Sequence, residues 1–160
     1  MRFSAAPEDG GTKDKFALVE SSIAQGSVIL AGPKGDIALD WRKGDKDRVR
    51  GIPPGTYRVR TVRIERTKGK DQWFLSMTQP PKKPLRFSSS KRVKLDTSDT
   101  IRFAAHARPA GKKKLSLGFS IKGKAGEGLS IYRNGKRVSV TYTMFDAKGH
   151  RLGSGKMNYG

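Results

Sequence analysis

Apolar and polar residues alternate along most of this chain, and that period of two constrains the fold more than any other feature. In residues 114–122, Leu115, Leu117, Phe119 and Ile121 alternate with lysine, serine or glycine, which is the pattern of a half-buried β-strand. No segment shows a sustained apolar period of 3.6 residues, so no helix is predicted. Nineteen glycines and eight prolines place turns between many short strands. The pattern therefore predicts an all-β fold, an antiparallel sandwich or barrel.

Two hairpin turns are predicted at defined positions. Residues 33–36 (Pro-Lys-Gly-Asp) separate two alternating segments and have the composition of a turn. Asn134-Gly135 is the strongest short hairpin signal in the chain, because both residues tolerate the positive φ that a tight turn requires. In the strands of this C-terminal half, the alternation predicts that the following apolar residues face a core: Ile101, Phe103, Ala105, Leu129, Ile131, Val138, Val140, Tyr142 and Met144.

One long strand is predicted to contain a bulge. Tyr57 and Val59 share one face of this strand, whereas Val62 and Ile64 have the opposite phase. A β-bulge inserts one extra residue and reverses the phase beyond it. A bulge near residues 60–61 would therefore bring all four apolar side chains to the same side of the sheet.

A proline-rich segment divides the chain in the sequence-based prediction. Residues 80–84 contain three prolines, which do not fit a central strand and favour a stiff, extended linker. We therefore predict two small sandwich domains in tandem, at residues 15–79 and 85–160, after a flexible lead-in at residues 1–14. A single larger sandwich is the alternative.

The charge of the chain is strongly unbalanced. Thirty-four Lys and Arg stand against fourteen Asp and Glu, which gives a formal net charge of +20. Residues 83–160 contain 18 basic and 4 acidic side chains, against 16 and 10 in residues 1–82. A field of this sign attracts polyanions and raises the rate at which they associate. The charge thus concerns the partner of the protein rather than its fold.

The basic side chains carry the main functional hypothesis. Several cluster on predicted strands or beside turns, where they could form one cationic sheet face that binds an anionic polymer through many salt-sensitive contacts. The alternative is a surface that only keeps the protein soluble and protects its sheet edges. Aromatic residues suited to base stacking are scarce, with Phe74 and Phe145 as the candidates. The predicted polyanion-binding residues are Arg58, Arg60, Lys91, Arg92, Lys94, Lys112, Lys113, Lys114, Lys122, Lys124, Arg133, Lys136 and Arg137.

No catalytic, cofactor or metal site is predicted. The chain has no cysteine, which excludes disulfides, thiolate nucleophiles and cysteine-based metal sites. His106 is expected on an outward strand phase, and His150 at the exit of a turn, so both have a structural interpretation. Residues 123–128 lack the ending of a phosphate-binding loop and are interpreted as a hairpin connection. The residual enzymatic hypothesis is a hydrolase that uses these histidines or an aspartate.

The only acidic cluster is also expected to be structural. Asp36, Asp40, Asp45 and Asp47 do not have the spacing of a calcium-binding loop. Basic residues are interleaved with them, which favours local ion pairs over a bound cation.

Residues 52–59, Ile-Pro-Pro-Gly-Thr-Tyr-Arg-Val, resemble the start of a strand in transthyretin-like domains, which include carboxypeptidase regulatory-like and Cna-B domains. The hairpin over residues 27–41 lies where those domains place an early hairpin. Residues 132–138 and 145–149 are similar to immunoglobulin-like modules of bacterial envelope proteins. The resemblance implies a non-catalytic scaffold outside the cytoplasm, whose Tyr57 enters the core.

Two functions in different compartments follow from these observations. The first is a periplasmic or extracellular binding or scaffold module, with its signal peptide removed, that engages an acidic glycan, lipopolysaccharide or phospholipid through the basic face. The alternative is an intracellular protein that binds nucleic acid through the same face without reading its sequence. No small-molecule substrate and no apolar run of the length of a membrane span are expected.

Overall fold

The computed structural model describes residues 16–89, 91–95, 97, 100–112 and 114–157. Over these residues the chain forms fourteen β-strands and no helix, so the all-β fold class predicted from the alternation is confirmed. The predicted lead-in at residues 1–14 lies outside the described residues. The strands are β1 (Ala17–Ser21), β2 (Gly26–Gly32), β3 (Gly35–Trp41), β4 (Val49–Ile52), β5 (Gly55–Lys68), β6 (Asp71–Gln79), β7 (Leu85–Phe87), β8 (Arg92–Leu95), β9 (Arg102–Pro109), β10 (Leu115–Lys122), β11 (Gly128–Arg133), β12 (Lys136–Arg137), β13 (Val140–Phe145) and β14 (Arg151–Met157).

The strands form one large sheet, one small sheet and one hairpin. The main sheet has the strand order β3-β2-β5-β6-β11-β10-β9, with β7 paired to β5 and β12 paired to β11. The small sheet has the order β4-β1-β8. All strand pairs are antiparallel except β1 and β8, which are parallel. The β13–β14 hairpin forms a two-stranded sheet of its own.

The hydrophobic core lies between the small sheet and the first strands of the main sheet. Val19, Ile52 and Leu95 come from the small sheet, and Leu30 and Trp41 come from the main sheet. All five side chains are almost completely removed from solvent. The indole of Trp41 donates a hydrogen bond to the carbonyl of Arg48 at 3.1 Å, so its polar atom is satisfied as well. The two layers form a sandwich from residues that all precede position 97.

The proline-rich segment does not separate the apolar residues on its two sides. Strand β7 follows it and pairs with the start of β5, and β8 pairs with β1. Three side chains predicted to belong to the second domain therefore pack in the core of the first predicted domain, residues 15–79. They are Leu85, Phe87 and Leu95. Strands β7 and β8 pair with strands that are distant in sequence, because this pairing buries their apolar side chains. The composition of residues 80–84 does not indicate such a pairing. The number of domains stays a prediction.

The bulge predicted in β5 is confirmed. Ile29 of β2 pairs with Thr61 and the next residue, Leu30, pairs with Val59, so Arg60 is the inserted residue. Tyr57, Val59, Val62 and Ile64 are consequently all buried on one face. The extra residue is what allows a strand of 14 residues to keep one apolar side.

The two predicted turns and the inward position of Tyr57 are also confirmed. Gly32 pairs with Gly35 across a two-residue turn that joins β2 to β3. Asn134 and Gly135 have φ values of 51° and 78° and join β11 to β12. The hydroxyl of Tyr57 donates a hydrogen bond to the carbonyl of Pro53 at 2.9 Å, and burial of the ring raises the pKa of this phenol.

The predicted core of the C-terminal strands is wrong for three residues. Strand β10 forms within the predicted residues 114–122, but its first residue, Leu115, is 60% exposed. On β9, Phe103 is 61% exposed and Ala105 is exposed as well. All three lie where the main sheet ends, since β9 is its last strand and has a partner on one side only. Val138 and Tyr142 are half-buried. Ile121 and Leu129, nearer the middle of the sheet, are buried as predicted.

Candidate anion-binding surface

The predicted polyanion-binding residues are all at the surface where they are described. Twelve of the thirteen are exposed, and Lys113 lies outside the described residues. Arg60 pairs with Asp36, Arg92 approaches Glu20 at 3.9 Å and Arg133 contacts Asp71 at 2.5 Å. Seven others form no ion pair with a described residue: Arg58, Lys91, Lys94, Lys112, Lys114, Lys122 and Lys136.

These cations do not lie on one sheet. The group of Lys91, Arg92 and Lys94 flanks or belongs to β8, which is a strand of the small sheet. The residues of β5, β10 and the β11–β12 turn belong to the main sheet. The single continuous face expected from the sequence is therefore divided, because β8 pairs with β1 rather than with its C-terminal neighbours.

The main sheet concentrates the unpaired lysines at its C-terminal end. Lys112 precedes β10, Lys114 is adjacent to its first residue, and Lys122 is its last residue. Lys122 pairs with Gly128 of β11, and β11 continues to the turn that carries Lys136. Lys114 and Lys122 lie at opposite ends of β10, roughly 25 Å apart at about 3.3 Å per residue, so the ammonium groups are spread along the length of this strand.

On the face of the main sheet that points away from the core, a row of side chains crosses four strands. The guanidinium of Arg63 on β5 lies 4.1 Å from the ring centre of Phe74 on β6. Phe74 in turn stacks on Tyr132 of β11, with ring centres 4.5 Å apart and planes 5° from parallel. Arg137 of β12 pairs with Tyr132 and donates a hydrogen bond to the hydroxyl of Ser130 at 2.6 Å. A guanidinium group thus lies at each end of the row, Arg63 on β5 and Arg137 on β12.

This row changes the interpretation of Phe74 as a base-stacking residue. Strands β5 and β11 flank β6 on opposite sides, so Arg63 and Tyr132 cover the two faces of the Phe74 ring. A nucleobase therefore has no free face of Phe74 to stack on. Phe145, the other candidate, is 59% exposed near the end of the β13–β14 hairpin.

Sequence reasoning missed Arg63 and Tyr132 as parts of this surface. The outward position of Arg63 could have been predicted from the bulge at Arg60. The bulge places Val62 and Ile64 on the apolar face, and alternation then places Arg63 on the opposite face. Tyr132 follows Ile131 and so has the outward phase by alternation. The contact between Phe74 and Tyr132 depends on the register of β6 against β11, which joins residues far apart in sequence.

The tip of the β11–β12 hairpin is held against β6 by one aspartate. Asp71 accepts hydrogen bonds from Arg133 and from the side-chain amide of Asn134, at 2.5 and 2.8 Å. The side-chain carbonyl of Asn134 accepts from the backbone amide of Gln72 at 2.8 Å. Hydrogen bonds from Arg133 and Asn134 hold the pKa of Asp71 below its ordinary value of 3.8. These contacts fix the turn that presents Lys136.

Acid is expected to loosen this hairpin. Because the folded-state pKa of Asp71 is depressed, its contribution to stability is present above the ordinary pKa and is lost as pH falls through the folded value. The difference in urea midpoint between the wild type and Asp71→Asn should thus shrink as pH is lowered from about 6 to about 3. An unchanged difference across this range would contradict the role given to the Asp71 carboxylate.

The histidines and the acidic cluster have local structural partners. Within the β13–β14 turn, the carboxylate of Asp146 contacts the ring Nδ1 of His150 at 3.0 Å. It also accepts a hydrogen bond from the backbone amide of His150 at 2.8 Å. The ring of His106 lies over Gly118, where an added Cβ would be 2.3 Å from Nε2. Asp45 pairs with Arg50 at 2.8 Å. No group of three histidine or carboxylate side chains within the described residues is arranged to hold a metal ion.

Residues 123–128 form the connection between β10 and β11, as interpreted from the sequence. The amide of Gly123 donates to the carbonyl of Glu127 at 2.9 Å, and the amide of Gly126 donates back to Gly123 at 3.1 Å. The carboxylate of Glu127 is buried against Gly123, where an added Cβ would lie 2.1 Å from Oε1. Gly123 is thus required for the close approach of this side chain.

No family model, no curated protein and no solved structure matches this chain, so its function has to be inferred from its own residues. The transthyretin-like and immunoglobulin-like resemblances of the sequence stay predictions. In the part of the chain that the structure describes, no helix has the length and apolar character needed to cross a membrane.

Proposed function

We propose that this protein is a non-catalytic binding or scaffold module that engages anionic polymers or surfaces through its exposed basic side chains. The seven exposed cations that lack an acidic partner among the described residues carry this proposal. A cation that already has a carboxylate neighbour gains little from a ligand, whereas an unpaired one can exchange its counterion for a phosphate, sulfate or carboxylate. The main contact surface is the β9–β10 end of the main sheet together with the β11–β12 turn.

An acidic glycan or an anionic lipid surface fits this arrangement better than single-stranded nucleic acid. Single-strand binding relies on aromatic faces on which successive bases stack. Arg63 and Tyr132 cover both faces of Phe74, and lysines dominate the unpaired set. Lysine acts as a point charge with rotatable donors and does not require the planar geometry of one particular anion. The ligand is therefore recognised through charge density rather than base identity.

The test is binding to heparin and to duplex DNA over a salt series. Heparin should bind with an affinity that falls steeply with salt, because each lysine–anion contact releases a counterion. The double variant Lys114→Glu/Lys122→Glu should bind about tenfold more weakly, with a salt slope lower by about 2. Affinity can be measured by fluorescence anisotropy or calorimetry.

The matched control is Lys43→Glu/Lys46→Glu, which makes the same change of charge in the loop between β3 and β4, at the opposite end of the main sheet. This variant should retain most of the affinity. Equal losses in both double variants would show that net charge, and not this surface, is responsible. Tighter binding of DNA than of heparin would favour the intracellular alternative, and salt-independent or absent binding to both would contradict the proposal.

The proposed location is outside the cytoplasm, on the strength of the resemblance of residues 52–59 to domains of surface and secreted proteins. Detection of the native protein after cell fractionation tests this part separately. Recovery in the cytoplasmic fraction alone would contradict it without affecting the binding surface.

A further inference from the structure

A cavity of about 560 Å³ opens beneath the proline-rich segment that follows β6. Val59, Leu85 and Leu95 contribute apolar side chains to it, and all three belong to or contact the core. The prolines at positions 81 and 84 line it as well. On another side, the cavity meets the β10–β11 connection at Ala125 and Gly126. The residues that line it thus include two segments that the sequence analysis interpreted only as a linker and a turn.

Two lysines lie at the mouth of this apolar cavity. Lys82 and Lys83 both line it and are both exposed, so their ammonium groups can reach an anion held at the entrance. Pro81 and Pro84 bracket the pair and restrict the backbone that carries it. A restricted segment loses less conformational entropy when a ligand binds. Neither lysine belongs to the proposed polyanion-binding surface.

A buried hydroxyl also lines the cavity. Thr97 is only 2% exposed, and its Oγ1 has no hydrogen-bond partner among the described residues. Its carbonyl accepts a hydrogen bond from the hydroxyl of Ser22 at 3.0 Å, which holds the residue in place. A buried hydroxyl without a partner destabilises the free protein. A ligand with an oxygen near Thr97 would satisfy it.

We infer that this cavity binds an anionic amphiphile, a molecule with one apolar chain and a carboxylate or phosphate head group. The chain lies against Pro81, Leu85 and Ala125, which keep accessible surface in the cavity, and the head group is held by Lys82 and Lys83. Cavities of about 300–1,000 Å³ with mostly apolar walls and a few polar groups are typical of small-ligand sites. An apolar wall selects for the chain, and the paired positive charges select against a neutral head.

The experiment uses the full chain and displacement of a fluorescent fatty acid, with all lipids below their critical micelle concentrations. Myristate and a lysophosphatidate with the same chain length should both displace the probe. The ratio of their affinities shows whether the site prefers a carboxylate or a phosphate head group. A monoacylglycerol of that chain length should bind about tenfold more weakly, because it lacks the charge. Inorganic phosphate should not displace the probe. Equal affinity for the neutral lipid, or no displacement by either anion, would overturn the inference.

Two variants locate the site. Lys82→Glu/Lys83→Glu should weaken myristate binding about tenfold, while Lys68→Glu/Lys70→Glu, a charge-matched pair outside the cavity, should leave it unchanged. Ala125→Trp places a large side chain at an exposed position of the cavity wall and should abolish displacement. Retained binding in Ala125→Trp, or equal losses in the two lysine pairs, would place the lipid elsewhere on the surface.

The variant Thr97→Val tests whether the hydroxyl of Thr97 contacts the ligand or only stabilises the fold. It removes the hydroxyl and keeps the side-chain shape, so the free protein should be at least as stable to urea as the wild type, while its affinity for myristate falls about fivefold. A less stable free protein would show that the hydroxyl already has a partner, and unchanged affinity would remove it from the site. Retention on heparin should be the same as that of the wild type. Loss of the lipid site and loss of the polyanion surface are thus distinguishable.

Discussion

A chain that ends after residue 84 is expected not to fold, whereas one that ends after residue 100 is expected to retain the sandwich. The shorter chain lacks β7 and β8, and with them the buried side chains of Phe87 and Leu95. Removal of one large buried side chain typically costs about 3–5 kcal/mol. The loss of two, together with the strand that pairs with β1, is comparable to the whole stability of a domain, about 5–15 kcal/mol.

Circular dichroism and cooperative unfolding in urea measure this directly. The longer chain should show a β-sheet spectrum and a single transition, although it lacks β11 beside β6. The shorter chain should show neither. Cooperative unfolding of the shorter chain would mean that residues 85–95 are dispensable, as two tandem domains divided at residues 80–84 require.

Gly26→Ala is expected to be the most disruptive single methyl addition in the main sheet. An added Cβ at Gly26 would lie 2.1 Å from the backbone carbonyl oxygen of Arg63, which cannot rotate away. The φ of 149° at this position is also unfavourable for a residue with a side chain. Strands β2 and β5 would have to separate where they bury Val28 and Val62. We expect a loss of about 3 kcal/mol or more in the free energy of unfolding.

Gly35→Ala is the matched control for this prediction. Its φ of 111° is also positive, but no atom lies within 4 Å of the added Cβ. This variant should lose only the backbone strain of alanine at a positive φ, about 1–2 kcal/mol. Equal losses in the two variants, measured by urea titration, would show that the approach of β2 to β5 is less close than described.

Features that depend on neighbouring residues were predictable from the sequence. The bulge at Arg60 follows from a change of phase between Val59 and Val62, and the turn at Asn134 follows from the preference of that residue for positive φ. Both are local consequences of sterics and alternation. The exposure of the predicted basic residues is similarly local, since lysine and arginine are rarely buried without a partner.

Features that depend on strand order were not predictable. Nothing in residues 92–95 indicates a parallel partner at residues 18–21, yet this pairing moves β8 into the small sheet and divides the cationic residues. The contact between Phe74 and Tyr132 likewise requires the register of β6 against β11. Alternation places Phe103 on the apolar face of its strand, but whether another layer covers that face depends on the rest of the fold.

Amide chemical-shift mapping with a sulfated heparin oligosaccharide tests the central claim most directly. The account predicts that the largest salt-sensitive shifts occur at Lys112, Lys114, Lys122 and Lys136, the unpaired cations at the C-terminal end of the main sheet. Smaller shifts are expected at Lys43 and Lys46, which lie in the loop between β3 and β4 at the opposite end of the main sheet. Shifts that are confined to this loop, spread evenly over all exposed lysines or absent at low salt would contradict a dedicated anion-binding surface.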